Sequence, residues 1–162
     1  MSAADPENTI YLDVPKGRVV IELRPDLAPK TVARIKELTR KGFYDGIAFH
    51  RVIPGFMAQT GDPRGDGTGG SGHTIKGEFS KNEKHVRGVV SMARTSDPNS
   101  ADSQFFIMFD AAPSLDGQYA IWGKVVSGME YIDAIKKGDG PNGAVSNPDH
   151  IVRMQVAADV KS

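Results

Sequence analysis

The chain of 162 residues contains no cysteine. That removes disulfides, thiol nucleophiles and cysteine-based metal sites together. It also lacks a charge excess, because 20 Lys+Arg balance 20 Asp+Glu. Nucleic acid and anionic membranes are usually met by a basic field, so neither is an expected partner. No apolar run approaches the ~18 residues of a membrane-spanning helix. The first eight residues, Met1 to Asn8, show no basic segment followed by an apolar one. No secretory leader is therefore expected, and the expected location is the cytoplasm. What remains is 39% hydrophobic and 25% charged, enough for one globular domain over residues 1–162.

The pattern along the chain is mostly that of short strands. Thr9 to Val14 and Arg18 to Leu23 alternate apolar and polar residues around Pro15-Lys16-Gly17, which predicts a hairpin. Pro29 suits the first turn of a helix whose stripe is Val32, Ile35 and Leu38 and which Gly42 closes. Further strands are predicted at Ala48 to Ile53, Phe56 to Gly61, Val89 to Ala93, Gln104 to Phe109, Ala120 to Val126 and His150 to Val160. Ser127 with Glu130 reads as a capping box for a second helix, striped by Met129, Ile132 and Ile135. Residues 62–77 and 138–148 are expected to be loops. Eight strands and two amphipathic helices without βαβ alternation predict a mainly β domain, a sandwich or a barrel.

Most familiar motifs fail on their physics. Gly65-x-Gly67-x-x-Gly70 matches a dinucleotide fingerprint, but no helix stripe follows to hold a pyrophosphate. Asp62-x-Arg64-x-Asp66-Gly67 puts an arginine at a calcium-ligand position. Arg64-Gly65-Asp66 is an adhesion tripeptide of a length that chance supplies. His50, His73, His85 and His150 show no metal spacing, and Gly69-Gly70-Ser71-Gly72-His73 is not a nucleophile elbow. No metal, cofactor or covalent nucleophile is expected.

The remaining feature is Arg51, set among Phe49, Val52, Ile53, Phe56 and Met57. A guanidinium is costly to bury unpaired. Two readings stay open: an ion pair with a carboxylate at the core edge, or an arginine aimed into a groove. The groove would have Phe56, Met57 and Phe106 as walls and Gln59 and Gln104 as polar anchors, suiting a peptide-like ligand.

At these residues the chain resembles the cyclophilin family of peptidyl-prolyl cis-trans isomerases. The run from Phe49 to Pro63 is close to the family signature, and Gly67-Thr68-Gly69-Gly70 follows. Ser91-Met92-Ala93-Arg94 leading to Ser103-Gln104-Phe105-Phe106-Ile107 forms a second block. Asp26 to Val32, Lys41 to Gly46, Leu115-Asp116-Gly117 and Gly123-Lys124-Val125 follow in family order. The resemblance implies an eight-stranded antiparallel closed barrel capped by two helices. It implies action on proline-containing peptides and unfolded proteins, and nothing in the sequence demands more than a monomer. Arg51 is the implied catalytic residue, and Phe56, Met57, Phe106 and Leu115 the proline pocket. Gln59, Gln104 and the Ala93–Arg94 main chain are implied to bind the substrate backbone, with His50 as structural support. Tyr119, also an implied substrate contact, stands where many members have His. Ser114 stands where many have Trp, and Arg94 where many have Asn. Since that Trp contributes to cyclosporin A binding, reduced cyclosporin A affinity is implied. The alternative is a proline-peptide binding module or chaperone without turnover, which could keep the pocket and lose the arginine.

Overall fold

The computed structural model describes residues 5–140 and 143–160. Met1 to Ala4, part of the segment judged for a leader, and Pro141 and Asn142 of the expected 138–148 loop lie outside the described residues. Eight strands form one antiparallel sheet: β1 (Thr9–Val14), β2 (Gly17–Leu23), β3 (Arg51–Ile53), β4 (Met57–Thr60), β5 (Val89–Met92), β6 (Phe105–Met108), β7 (Ile121–Ser127) and β8 (Arg153–Val156). The spatial order is β3-β4-β6-β5-β7-β2-β1-β8. β4, β5 and β6 are buried at every position, and β7 at its first three. The outer hairpin β1–β2 alternates more strongly, as a sheet with one wet face does.

The expected closed barrel is not what forms. β3 and β8 end the sheet and share no ladder, so the sheet is open and curls into a half-barrel. Both end strands are shorter than expected. Ala48 and His150 meet only in an isolated bridge. Main-chain bonds from Gly46 N to Ile151 O, Ile151 N to Ile47 O and Phe49 N to Asp149 O cross the seam irregularly. The Asp45 carboxylate takes the amide of Met154 in β8. Side-chain and loop bonds thus satisfy an edge that a ladder would otherwise need.

α1 (Pro29–Arg40) buries Val32, Ile35 and Leu38 in the main core with Ile10, Leu12, Phe49 and Trp122. α2 (Met129–Asp133) is shorter than predicted, and its capping box does not form. Gly128 caps it instead at φ 84°, and a Cβ there would stand 2.4 Å from Arg18 O. The helix starts where β7 must turn tightly over β2, and only glycine fits. Ile132 and Ile135 still reach the core.

Candidate active site

A second apolar cluster lies apart from the main core. It holds Met57, Val89, Phe106, Met108 and Ile121, with Phe56, Leu115 and Tyr119 packed against it. Above it opens a cleft of about 130 Å³. Arg51, Phe56, Met57, Gln59, Ala93, Arg94, Phe106, Leu115 and Tyr119 line it, all of them residues singled out from the sequence.

Strand register explains why they meet. Arg51 on β3 faces Gln59 on β4, Gln59 faces Phe106 on β6, and Phe106 faces Ser91 on β5. Directly opposed residues share a sheet face, so one rung carries the guanidinium, the carboxamide and the aromatic wall. Polar bonds run along it. Arg51 Nη1 donates to Gln59 Oε1 at 3.1 Å, and Gln59 Nε2 donates to Gln104 Oε1 at 2.8 Å. Gln104 Nε2 then donates to Gly67 O at 3.0 Å and Gly69 O at 2.9 Å. Gln104 does not line the cleft; it faces an adjoining hollow edged by residues 67–70. The glycine-rich loop therefore anchors the far end of a chain that begins at Arg51.

The opposite wall depends on residues at which the sequence departs from the common family pattern. Arg94 lies 4.8 Å from the Tyr119 ring centroid and 5.4 Å from that of Phe79. Its Nε and Nη2 donate to Gln118 O, and its Nη1 to Thr95 O. Tyr119 meets Phe106 edge-on, 5.7 Å between centroids. Arg94 is thereby pinned as a wall, by hydrogen bonds and cation–π contact together. The amide of Ala93 already donates to Gln104 O at 3.0 Å.

A family model, cyclophilin type peptidyl-prolyl cis-trans isomerase/CLD, matches residues 9–156. The chain belongs to the cyclophilin family. It is a peptidyl-prolyl cis-trans isomerase of that family. It is 59% identical over 173 aligned positions to a probable peptidyl-prolyl cis-trans isomerase of Brucella suis, covering 99% of this chain and 88% of that one. Peptidyl-prolyl cis-trans isomerase B of Bacillus subtilis is 46% identical over 124 positions, covering 76% and 86%. Among solved structures, cyclophilin AquaCyp293 of Hirschia baltica superposes with a TM-score of 0.87 at 30% identity, covering 99% of this chain and 77% of that one. A Cryptosporidium parvum cyclophilin type isomerase crystallised in the presence of the dipeptide Ala-Pro gives 0.85 at 30% identity, covering 91% and 98%.

Around this cyclophilin cleft the charges are held by the fold. Burial raises the cost of ionising Asp62, but the amides of Arg64, Gly69, Gly67 and Asp66 outweigh it and hold the carboxyl below its usual range. His50 sits buried nearby, in the wall of a hollow next to Arg51 and Gln59, where burial lowers its pKa. The sequence reading missed Phe79 beneath Arg94 and a buried histidine, His85, behind Phe106. Only Asp116, within the Leu-Asp-Gly triplet, hinted at the latter.

Proposed function

We propose that Arg51 is the catalytic residue of this isomerase and that Phe56, Met57, Phe106 and Leu115 seat the proline ring. Rotation about an X–Pro bond is slow because amide resonance sets a barrier of ~18–20 kcal/mol. In the twisted state the imide nitrogen becomes pyramidal and gains a lone pair. An Arg51 N–H donated there stabilises the twisted state more than the planar one, and only such differential binding accelerates the step. An acceleration on the order of 10⁵-fold requires about 7 kcal/mol. One charge-assisted hydrogen bond contributes ~1.5–3 kcal/mol net. The clamped ring and the dry floor of buried Met57 and Phe106 must supply the remainder.

The observation that carries this reading is the rung that sets Arg51 beside the apolar cup, oriented through Gln59. Gln59 has two amide protons and uses one on Gln104; the other suits a substrate carbonyl. Gln104 directs both protons to the glycine loop, which makes it a brace for Gln59 before it is a substrate anchor. The Ala93–Arg94 edge completes the backbone groove, and Tyr119 closes the end. The Ala-Pro dipeptide of the Cryptosporidium structure indicates the substrate class: proline-containing peptides, and by extension unfolded proteins in which X–Pro isomerisation limits folding. Within this proposal the chain works as one domain and as a monomer in the cytoplasm, and binds cyclosporin A more weakly than relatives with Trp at the Ser114 position.

A protease-coupled assay on an Ala-Pro-Phe peptide tests the proposal. Arg51→Ala is expected to lower kcat/KM by about 10²-fold, the usual loss for a transition-state donor. Equal rates in wild type and variant would remove the role of Arg51.

A further inference from the structure

Behind the cup lies a buried polar chain that the reading of the cleft does not use. The His85 side chain is 0% exposed. Its Nδ1 lies 3.2 Å from Asp116 Oδ1 and its Nε2 3.0 Å from Ser91 Oγ. Asp116 Oδ1 also accepts the main-chain amide of His85 at 2.6 Å, and His85 O accepts the amide of Ala112 at 2.9 Å. Connectivity alone would suggest a hydrolytic triad. Ser91 is wholly buried, however, and no acyl group can reach it.

The bonding directions follow from the partners. A carboxylate only accepts, so the ring proton sits on Nδ1 and points at Asp116. Burial disfavours a second ring proton. Nε2 is then bare and accepts the Ser91 hydroxyl. Each end of this chain meets a wall of the cup. Ser91 continues the rung, directly opposite Phe106 on one side and Ile121 on the other. Asp116 and Ala112 flank the turn that carries Leu115. The imidazole itself stacks on Phe106 (6.1 Å, 23° between planes) and meets Tyr119 edge-on at 6.2 Å.

We propose that His85 is a positioning residue that, through Ser91 and Asp116, holds Phe106, Leu115 and Tyr119 at the spacing of a proline ring. It rests on the cup reading above, and extends it to a side chain that touches no substrate. Because His85 holds the ring seat and not Arg51, its loss weakens ground-state and transition-state binding alike. Affinity falls and the rate of the bound step stays.

The test is an NMR titration of an Ala-Pro peptide, with the cis-trans exchange rate of the bound peptide measured at saturation. His85→Phe keeps a ring against Phe106 and drops both hydrogen bonds. It is expected to raise Kd about tenfold and to leave the bound exchange rate within about twofold. His85→Asn, which can still donate to Asp116 from the Nδ1 position, is expected to recover part of the affinity. If His85→Phe does not fold, Ser91→Ala severs one bond alone and is expected to raise Kd about threefold. A lowered melting temperature with unchanged Kd in the folded variants would overturn the proposal, as would a bound exchange rate that falls with affinity. Phe106→Ala in the same titration separates the two readings. If it weakens binding and the His85 variants do not, only the role of His85 fails; if it too leaves Kd unchanged, the cup itself is misplaced.

Discussion

Ser114 stands exposed on the 3-10 turn Pro113–Leu115, immediately before a cup residue. A small polar side chain there leaves the rim of the cleft low. Ser114→Trp is expected to tighten cyclosporin A binding by at least about tenfold, since a buried tryptophan is a typical interface anchor; a fluorescence titration of both proteins would show it. At this scale much of the site was legible, because Phe56, Met57 and Gln59 follow Arg51 closely on one hairpin. What stayed hidden depends on contacts between distant residues. Gln104 sits in a recognisable block, yet its carboxamide turns to the glycine loop because Gly67 O and Gly69 O lie within reach. His85 finds its ring partners 6 and 31 positions away, and no local pattern announces that. Arg51 lines the cleft, and the residue opposite it on the neighbouring strand is a glutamine that accepts one of its N–H groups.

Among the secondary elements, α1 shows how the long loop before β5 is fastened. Its N-cap residue is Ala28, which has no side chain able to cap. Glu78, remote in sequence, does so instead. Its carboxylate accepts the amides of Lys30 at 3.1 Å and Thr31 at 2.7 Å, and the Thr31 hydroxyl at 2.7 Å. An anion at this end also meets the positive pole of the helix. Glu78→Ala is expected to cost about 1 kcal/mol of stability, read as a lower urea midpoint with an unchanged slope; no shift in midpoint would refute the cap. The stripe of α1 and the alternation of β1 and β2 were readable because amphipathic periodicity is local. The seam between β3 and β8 was not, since strand closure is decided by edges that are far apart in the chain. α2 was misjudged at its start for a similar reason: the crowding of Gly128 against Arg18 and Val19 comes from another strand.

For the molecule as a whole, two buried histidines set the response to pH. Burial lowers the pKa of both His50 and His85, with Asp62 and Asp116 respectively opposing it in part. The folded state therefore keeps them neutral where the unfolded chain, titrating near 6.5, already binds protons. Stability from this source is complete above that pH and is lost as pH falls below it. Asp26, Asp62, Asp116 and Asp133 are held below the usual carboxylate range, and their contribution is lost only under more acid conditions, below about 3.9. Calorimetry from pH 7.5 to 3 is expected to show the melting temperature decline in two stages, the first beginning near pH 6.5. A flat profile between pH 7 and 5 would contradict the assignment of neutral, buried rings. A different consequence follows from the open seam. On its outer side, the strand bearing Arg51 leans on a loop, through Gly138 N to Val52 O, Val145 N to His50 O and the Arg51–Ala144 bridge. Gly143 presses so close to Ile53 that a methyl there would stand 2.5 Å from its Cγ1. The strand that carries Arg51 is thus braced from outside by residues that do not line the cleft, so a substitution in that loop can displace the guanidinium while every residue lining the cleft stays the same.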